Sequence, residues 1–242
     1  DQLSTLGNVQ DVAFADFDGD GWVDLAVAAD WAPMRLFRNM EGKFIDQTES
    51  LGLSSHKGWW NTIAILDADN DGDLDIAAAN WGRNTRYQKF LNHPVRLFYG
   101  DSNSDGVFEG LEAWYDVGSE AWYPMEGLGR AEKVFPFLRN PFPTHAQFAK
   151  ASVTEVFKKL TLPKKHVEIT TLDSMLFINQ GSQFEATSLT EQAQWSVTND
   201  ILASDFDLDG NMDLILCQNE VNGPEHMGNI DAGVGLVLRG KG

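Results

Sequence analysis

A single cysteine, Cys217, leaves the chain without any intrachain disulfide. It lies in the apolar run Leu214-Ile215-Leu216-Cys217, where a buried, inert thiol is expected. Basic residues are scarce. Eighteen Lys and Arg stand against 36 Asp and Glu, for a formal charge of −18, so there is no overall basic footprint for nucleic acid. No run of about 18 apolar residues occurs, and no transmembrane helix is expected. The five histidines, His56, His93, His145, His166 and His226, share no metal-ligand or triad spacing. There is no G-x-S-x-G, no P-loop and no dinucleotide fingerprint. Enzymatic activity is therefore not the expectation. No secretory signal is visible. Asp1 stands about ten residues before the first strand pattern, as in a mature chain or a piece of a longer one.

Acid is abundant and ordered. Residues 16–24 read D-x-D-x-D-G-x-x-D between two apolar runs. Asp16, Asp18, Asp20 and Asp24 place carboxylates at positions 1, 3, 5 and 9. Gly21 at position 6 allows the sharp turn, and the carbonyl of Trp22 can add an oxygen at position 7. The pattern recurs with Asp67, Asp69, Asp71, Asp73 and Asp75, and again with Asp205, Asp207, Asp209, Asn211 and Asp213. A looser copy carries Asp101, Asn103, Asp105, Val107 and Glu109. Hard oxygen ligands converging from one tight loop suit Ca²⁺, which takes 6–8 oxygens. Without a counter-ion, carboxylates this close repel one another. Three strong calcium loops and one degenerate one are expected, in a structural rather than a catalytic role. The four loops hold 16 of the 36 acids, so metal explains much of the acidity.

Short strand patterns flank each loop, whereas an EF-hand has helices and a Glu at position 12. Residues 10–16, 24–30, 34–38 and 43–46 read as four antiparallel strands of one sheet, too small to stand alone. The next strict loop begins 51 residues later, and a period near 50 holding four strands is that of a propeller blade. Val95–Gly100 resembles the strand at 34–38 and is read as the third strand of the second blade. The looser loop would then join it to the fourth. Residues 116–166 interrupt the pattern. Ser152 with Glu155 forms a capping box, and Thr144 can cap a short helix. Between residues 126 and 166 eight Lys and Arg face three acids. Blades continue over 167–242, where Leu176-Phe177-Ile178-Asn179 repeats Leu36-Phe37-Arg38-Asn39. The expectation is an all-β fold: a β-propeller with about four blades in view, part of a larger propeller, with a small helical insertion. Blades 1 and 2 fill 1–115, the basic insertion 116–166, and further blades 167–242, all in one domain.

The acidic loop, its apolar strand and the Leu-Phe-x-Asn…Gly…Phe hairpin resemble FG-GAP/VCBS propeller repeats. Gly58-Trp59-Trp60-Asn61, residues 80–87, Pro94-Val95-Arg96-Leu97 and Phe137–Thr144 resemble more closely a bacterial subgroup that often carries an ASPIC/UnbV-type C-terminal domain. The resemblance implies an extracellular or bacterial-surface module, with a lipid anchor as one mode of attachment. It would act as a binding or scaffold module for a protein or glycan partner, or as a subunit of a larger surface assembly. Polysaccharide lyase action, with Tyr87 or Arg86 as base, and lectin-like sugar binding are the alternatives.

Hairpin geometry puts all the acidic loops at one end of the strands. The far end collects Trp31, Trp81, Arg83 and Arg86, the expected ligand-binding residues, with Asn80, Asn219 and Glu220. Trp59, Trp60 and Trp195 also belong there and are expected to pack between blades. Strands of about six residues separate the two ends by roughly 20 Å.

Overall fold

The computed structural model describes residues 2–101, 106–160, 165–221 and 228–241. Asn8–Ala15 (β1) and Asp24–Pro33 (β2) flank the first acidic loop, and Arg35–Met40 (β3) and Lys43–Asp46 (β4) complete an antiparallel β1-β2-β3-β4 sheet. Glu41 and Gly42 link β3 to β4, both with positive φ (54° and 89°). That is the two-residue turn whose twist matches a hairpin. β2 is a continuous run, Leu25-Ala26-Val27-Ala28-Ala29, because both its faces are buried. Past Asp30 it bends through a bulge at Trp31 to pair with Lys57–Trp59 (β5).

Thr62–Leu66 (β6) and Asp75–Ala79 (β7) flank the second loop. The chain then leaves this sheet. Val95–Gly100 (β8), Glu109–Asp116 (β9), Ala121–Pro124 (β10) and Lys165–Ile169 (β11) form a sheet of their own, in the order β10-β9-β8-β11. Among the described residues three α-helices lie between β10 and β11: Leu128–Val134 (α1), His145–Phe148 (α2) and Val153–Leu160 (α3). Thr144 Oγ1 accepts the Gln147 N–H at 3.3 Å at the start of α2. Ser152 and Glu155 close the capping box at α3 in both directions. Phe98, Leu111 and Ala113 of the sheet share a core with Leu128, Leu138, Phe148, Val156 and Phe157. Residues 89–170 make up this compact unit; residues 1–88 and 171–242 make up the other.

Met175–Asn179 (β12) and Phe184–Ser188 (β13) return to β7, giving the order β13-β12-β7-β6. The third strand beside β7 is therefore β12, not β8 as the resemblance between residues 34–38 and 95–100 suggested. The local pattern at 95–100 lacks the asparagine that follows Leu-Phe-x in β3 and β12, and Gly100 stands in its place. The helical stretch expected at 116–166 is accordingly one part of a larger inserted unit with four strands of its own. Thr198–Ser204 (β14), Asp213–Gln218 (β15) and Leu236–Leu238 (β16) form a third sheet around the last loop. The whole is mostly β, with four antiparallel sheets of three to five strands among the described residues and a small helical part. No closed propeller is detected.

In the first unit, side-chain parity decides the stacking. Ala26, Ala28 and Leu36 of the first sheet pack on Ile63, Ile76, Ala78 and Phe177 of the second. The alternate residues of the second sheet, Ala64, Leu66, Ala77 and Ala79, pack on Ile201, Leu214 and Leu216 of the third. Alanines at these points let neighbouring sheets approach closely. Parity also turns Cys217 outward, so the thiol expected to be buried is exposed. Trp60 is wholly buried, edge-on to Phe177, with its indole N–H donated to the Ala32 carbonyl. Replacing Phe177 by alanine is expected to cost about 3–5 kcal/mol of stability, read as a lowered urea midpoint.

Candidate functional site

Each acidic loop is folded by its own carboxylates. The Gly21 N–H donates to Asp16, Gly72 to Asp67, Gly106 to Asp101 and Gly210 to Asp205, at 2.9–3.1 Å. These glycines have φ of 87–95°, which a side chain tolerates poorly. Position 4 is also left-handed, at Gly19, Asn70 and Leu208; only the first two suit that conformation.

The aspartate at position 9 is a latch. Asp24, Asp75 and Asp213 are 0–1% exposed. One oxygen of each accepts an N–H from the second loop residue: Phe17, Ala68 or Phe206, at 2.7–3.1 Å. The other accepts an N–H from a residue at or just past the end of the third strand: Asn39, Asn179 or Gly240, at 2.7–2.9 Å. The loop is thereby tied to a strand up to 104 residues away in sequence.

Three triads result. Ligand atoms of Asp16, Asp18 and Asp24 lie within 4.8 Å of one another, as do those of Asp67, Asp69 and Asp71, and of Asp205, Asp207 and Asp213. Each triad could hold a metal ion. Asp20 and Asp209 turn instead to the N–H groups of Trp22 and Asn211. Asp73 is exposed beside the second triad, and the Trp22 ring faces solvent. In the looser loop Asn103 and Asp105 lie outside the described residues; Asp101 anchors Gly106, Val107 is exposed and Glu109 opens β9.

The chemistry of the donors fits a hard cation. All are oxygens, and Asp67 Oδ1 is buried without a hydrogen-bond partner. Burial pushes the Asp24 and Asp75 carboxyls above the usual value. Asp18 and Asp20 beside the first, and Asp69 and Asp71 beside the second, push the same way, while the backbone N–H donors pull down. A divalent cation relieves this repulsion. The triads are not equivalent. Arg38 pairs with Asp18 at 3.1 Å and Arg239 with Asp207 at 3.2 Å. Ile178 takes the corresponding place near the second loop, and no arginine or lysine pairs with its triad among the described residues. Asn179 Nδ2 donates to the Phe17 carbonyl and Asn70 Nδ2 to Asn211 Oδ1, so the three strict loops adjoin at one end of the first unit.

At the far ends of β2 and β7 the expected aromatic residues do meet. Trp59, nearly buried, lies 5.1 Å from Trp31, 5.0 Å from Trp81 and 4.7 Å from Tyr87 between ring centroids. Trp31 holds φ at 58°, a strained value for a bulky residue. Arg86 stacks on the Tyr87 ring at 5.2 Å. Arg83 does not join them. Its guanidinium is bound in bidentate fashion by Asp173 at 2.8 and 2.5 Å, and Ser188 donates to the same carboxylate. Asp173 had no sequence signal, being 90 residues from Arg83. Trp195, expected to pack between sheets, is instead 44% exposed.

Residues 16–78 match the model of the FG-GAP-like repeat. The match runs from the first residue of the first loop through the second loop to β7, about a quarter of the chain. No curated protein matches the chain. In this FG-GAP-like repeat the position-9 latch occurs twice, and β15 carries a third copy beyond it.

The Arg83–Asp173 pair sets a pH dependence. Burial alone would raise the Asp173 carboxyl, but Arg83 and Ser188 outweigh it and hold it below 3.8. Its contribution is thus fully present above 3.8 and is lost as pH falls through the depressed value. Asp173→Asn should flatten the acid limb of stability against pH below about 4. The half-exposed arginine keeps the effect modest.

Proposed function

We propose that this protein is a calcium-stabilised binding or scaffold module of β-propeller type, acting outside the cell or on a bacterial surface. The carrying observation is that three latched acidic loops occupy the same place in three successive sheets. The FG-GAP-like repeat and the Asp triads agree with it. Loops closed by exposed carboxylates suit extracellular calcium, for which modules bind at ~10⁻⁴–10⁻³ M. The resemblance of residues 80–87 and 137–144 to the bacterial subgroup carrying ASPIC/UnbV-type domains favours a bacterial surface.

The propeller reading is supported by head-to-tail packing. In each sheet the residue after the latch faces backward and the next faces forward. Leu25 meets the N-terminal Leu3 and Leu6, Ile76 meets the first sheet and Leu214 meets the second. Such contacts extend or close into a ring. On the forward face of the third sheet Leu202 and Val237 are each 58% exposed, as a seat for a further sheet of the same kind.

The partner, a protein or a glycan, is assigned to the end opposite the triads. Calcium there keeps the sheets rigid, and the strained Trp31 with its aromatic neighbours marks the recognition end. No catalytic step is assigned. Tyr87, the alternative lyase base, is 2% exposed beneath Arg86.

Chelation is the test. With calcium a hundredfold above Kd, EDTA should lower the melting temperature by about 5–10 °C per occupied loop; an unchanged melt rules out structural calcium. In calorimetric titration the second loop should bind tightest, having no arginine to displace. Arg38→Ala should strengthen the first site, and Asp69→Asn should weaken the second by about tenfold or more.

A further inference from the structure

A cavity of about 320 Å³ opens at the far end of the first unit, lined by Arg83, Asn84, Glu191, Gln194, Trp195 and Ala232. The volume is at the small end of ligand pockets, roughly 300–1,000 Å³, and suits a short saccharide better than a protein loop. Its frame is rigid. The Arg83 N–H donates to the Gln194 carbonyl at 2.6 Å. Gly82, with φ 73°, lies so close that a Cβ would stand 2.7 Å from the Gln194 and Ser196 carbonyls. The Gln194 side chain is wholly buried, fixed to both backbone groups of Ser174. Gln218 donates to the carbonyls of Gln192 and Ala193 behind the short turn that presents Trp195.

On this frame sit one exposed indole, the Asn84 amide, the Glu191 carboxylate and the Arg83 guanidinium. The charge of Arg83 is already met by Asp173, so Glu191 leaves the pocket net negative. An anionic ligand is disfavoured. A quaternary ammonium needs an aromatic cage, and among the described residues one ring lines the cavity. The chemistry that remains is a ring with an apolar face to lie on the indole and hydroxyls that both donate and accept.

We infer that this pocket binds a neutral pyranose unit of a glycan, stacked on Trp195 with its hydroxyls directed to Asn84 and Glu191. The inference rests on the binding-module reading above and names the ligand class and place within it.

The test uses the full chain with calcium, titrated calorimetrically against neutral oligosaccharides of glucose, galactose, mannose and N-acetylglucosamine. Uronate-containing oligosaccharides and tetramethylammonium serve as comparisons. At least one neutral oligosaccharide should bind, and a uronate analogue should bind more weakly. Trp195→Ala should weaken binding about tenfold or more with an unchanged melt, since the ring is exposed. Trp195→Phe should retain most of it. Phe14→Ala, removing another exposed ring on β1, should have no effect. No neutral binding at millimolar sugar, equal affinity in Trp195→Ala, or preference for tetramethylammonium would overturn the inference. Sugar binding kept in Trp195→Ala but lost in a folded Trp81→Ala would place recognition on the aromatic cluster, sinking the pocket while the module reading stands. An EDTA-insensitive melt bears on calcium alone.

Discussion

Three buried carboxylates hold the first unit in register. Each position-9 aspartate sits at the base of its acidic loop, out of water, with both oxygens accepting backbone N–H groups. An isolated buried carboxylate is costly, and one with two N–H donors is offset by charge-assisted bonds worth roughly 1.5–3 kcal/mol each. The donors come from two places, the loop itself and the end of the third strand. One side chain thus closes the hairpin turn and selects which strand lies beside it. The triads follow from the same arrangement, since Asp24 and Asp213 lend ligand atoms to the carboxylates they help to position.

The latch fixes phase as well as position. Counting from it, successive residues of β2, β7 and β15 point to opposite faces, and the residue after the latch is covered in each sheet. Leu25 and Val27 are covered by the N-terminal leucines, while the second sheet is packed on both sides. At the other end of these strands the backbone is less regular. β2 bulges at Trp31, and the side chains of Asn80 and Asn219 bind neighbouring backbone groups where β7 and β15 stop. The aromatic residues gather where strand geometry relaxes, and the acid triads where it is tightest.

The unit inserted between β7 and β12 interrupts the second sheet without entering it. It has its own sheet, helices and aromatic core within residues 89–170. Its basic character is partly internal: Arg130 pairs with Glu126 and Arg139 with Glu132. β7 and β12 find one another across the whole insertion, a distant pairing that the Asp75–Asn179 bond specifies.

Much was legible because it is local. The loops, the glycine at position 6, the strands flanking each turn and the caps at Thr144 and Ser152 all depend on residues within a few positions of one another. The four-strand order of the first sheet was readable for the same reason. The choice between two Leu-Phe strands as partner of β7 was not, although the asparagine after Leu-Phe-x carried the signal. Its meaning rests on a hydrogen bond to a residue in another hairpin. The capture of Arg83 by Asp173 was equally out of reach. Cys217 and Trp195 were both expected to be covered and are both exposed, because a local apolar pattern does not say what will lie against a side chain. By itself the sequence determined where acids cluster and chains turn, because those are short-range matters of charge and backbone conformation. The tertiary structure alone decided which strands pair across the insertion, which aromatic rings stay exposed and which charges are already spent, because those depend on surfaces brought together from far along the chain.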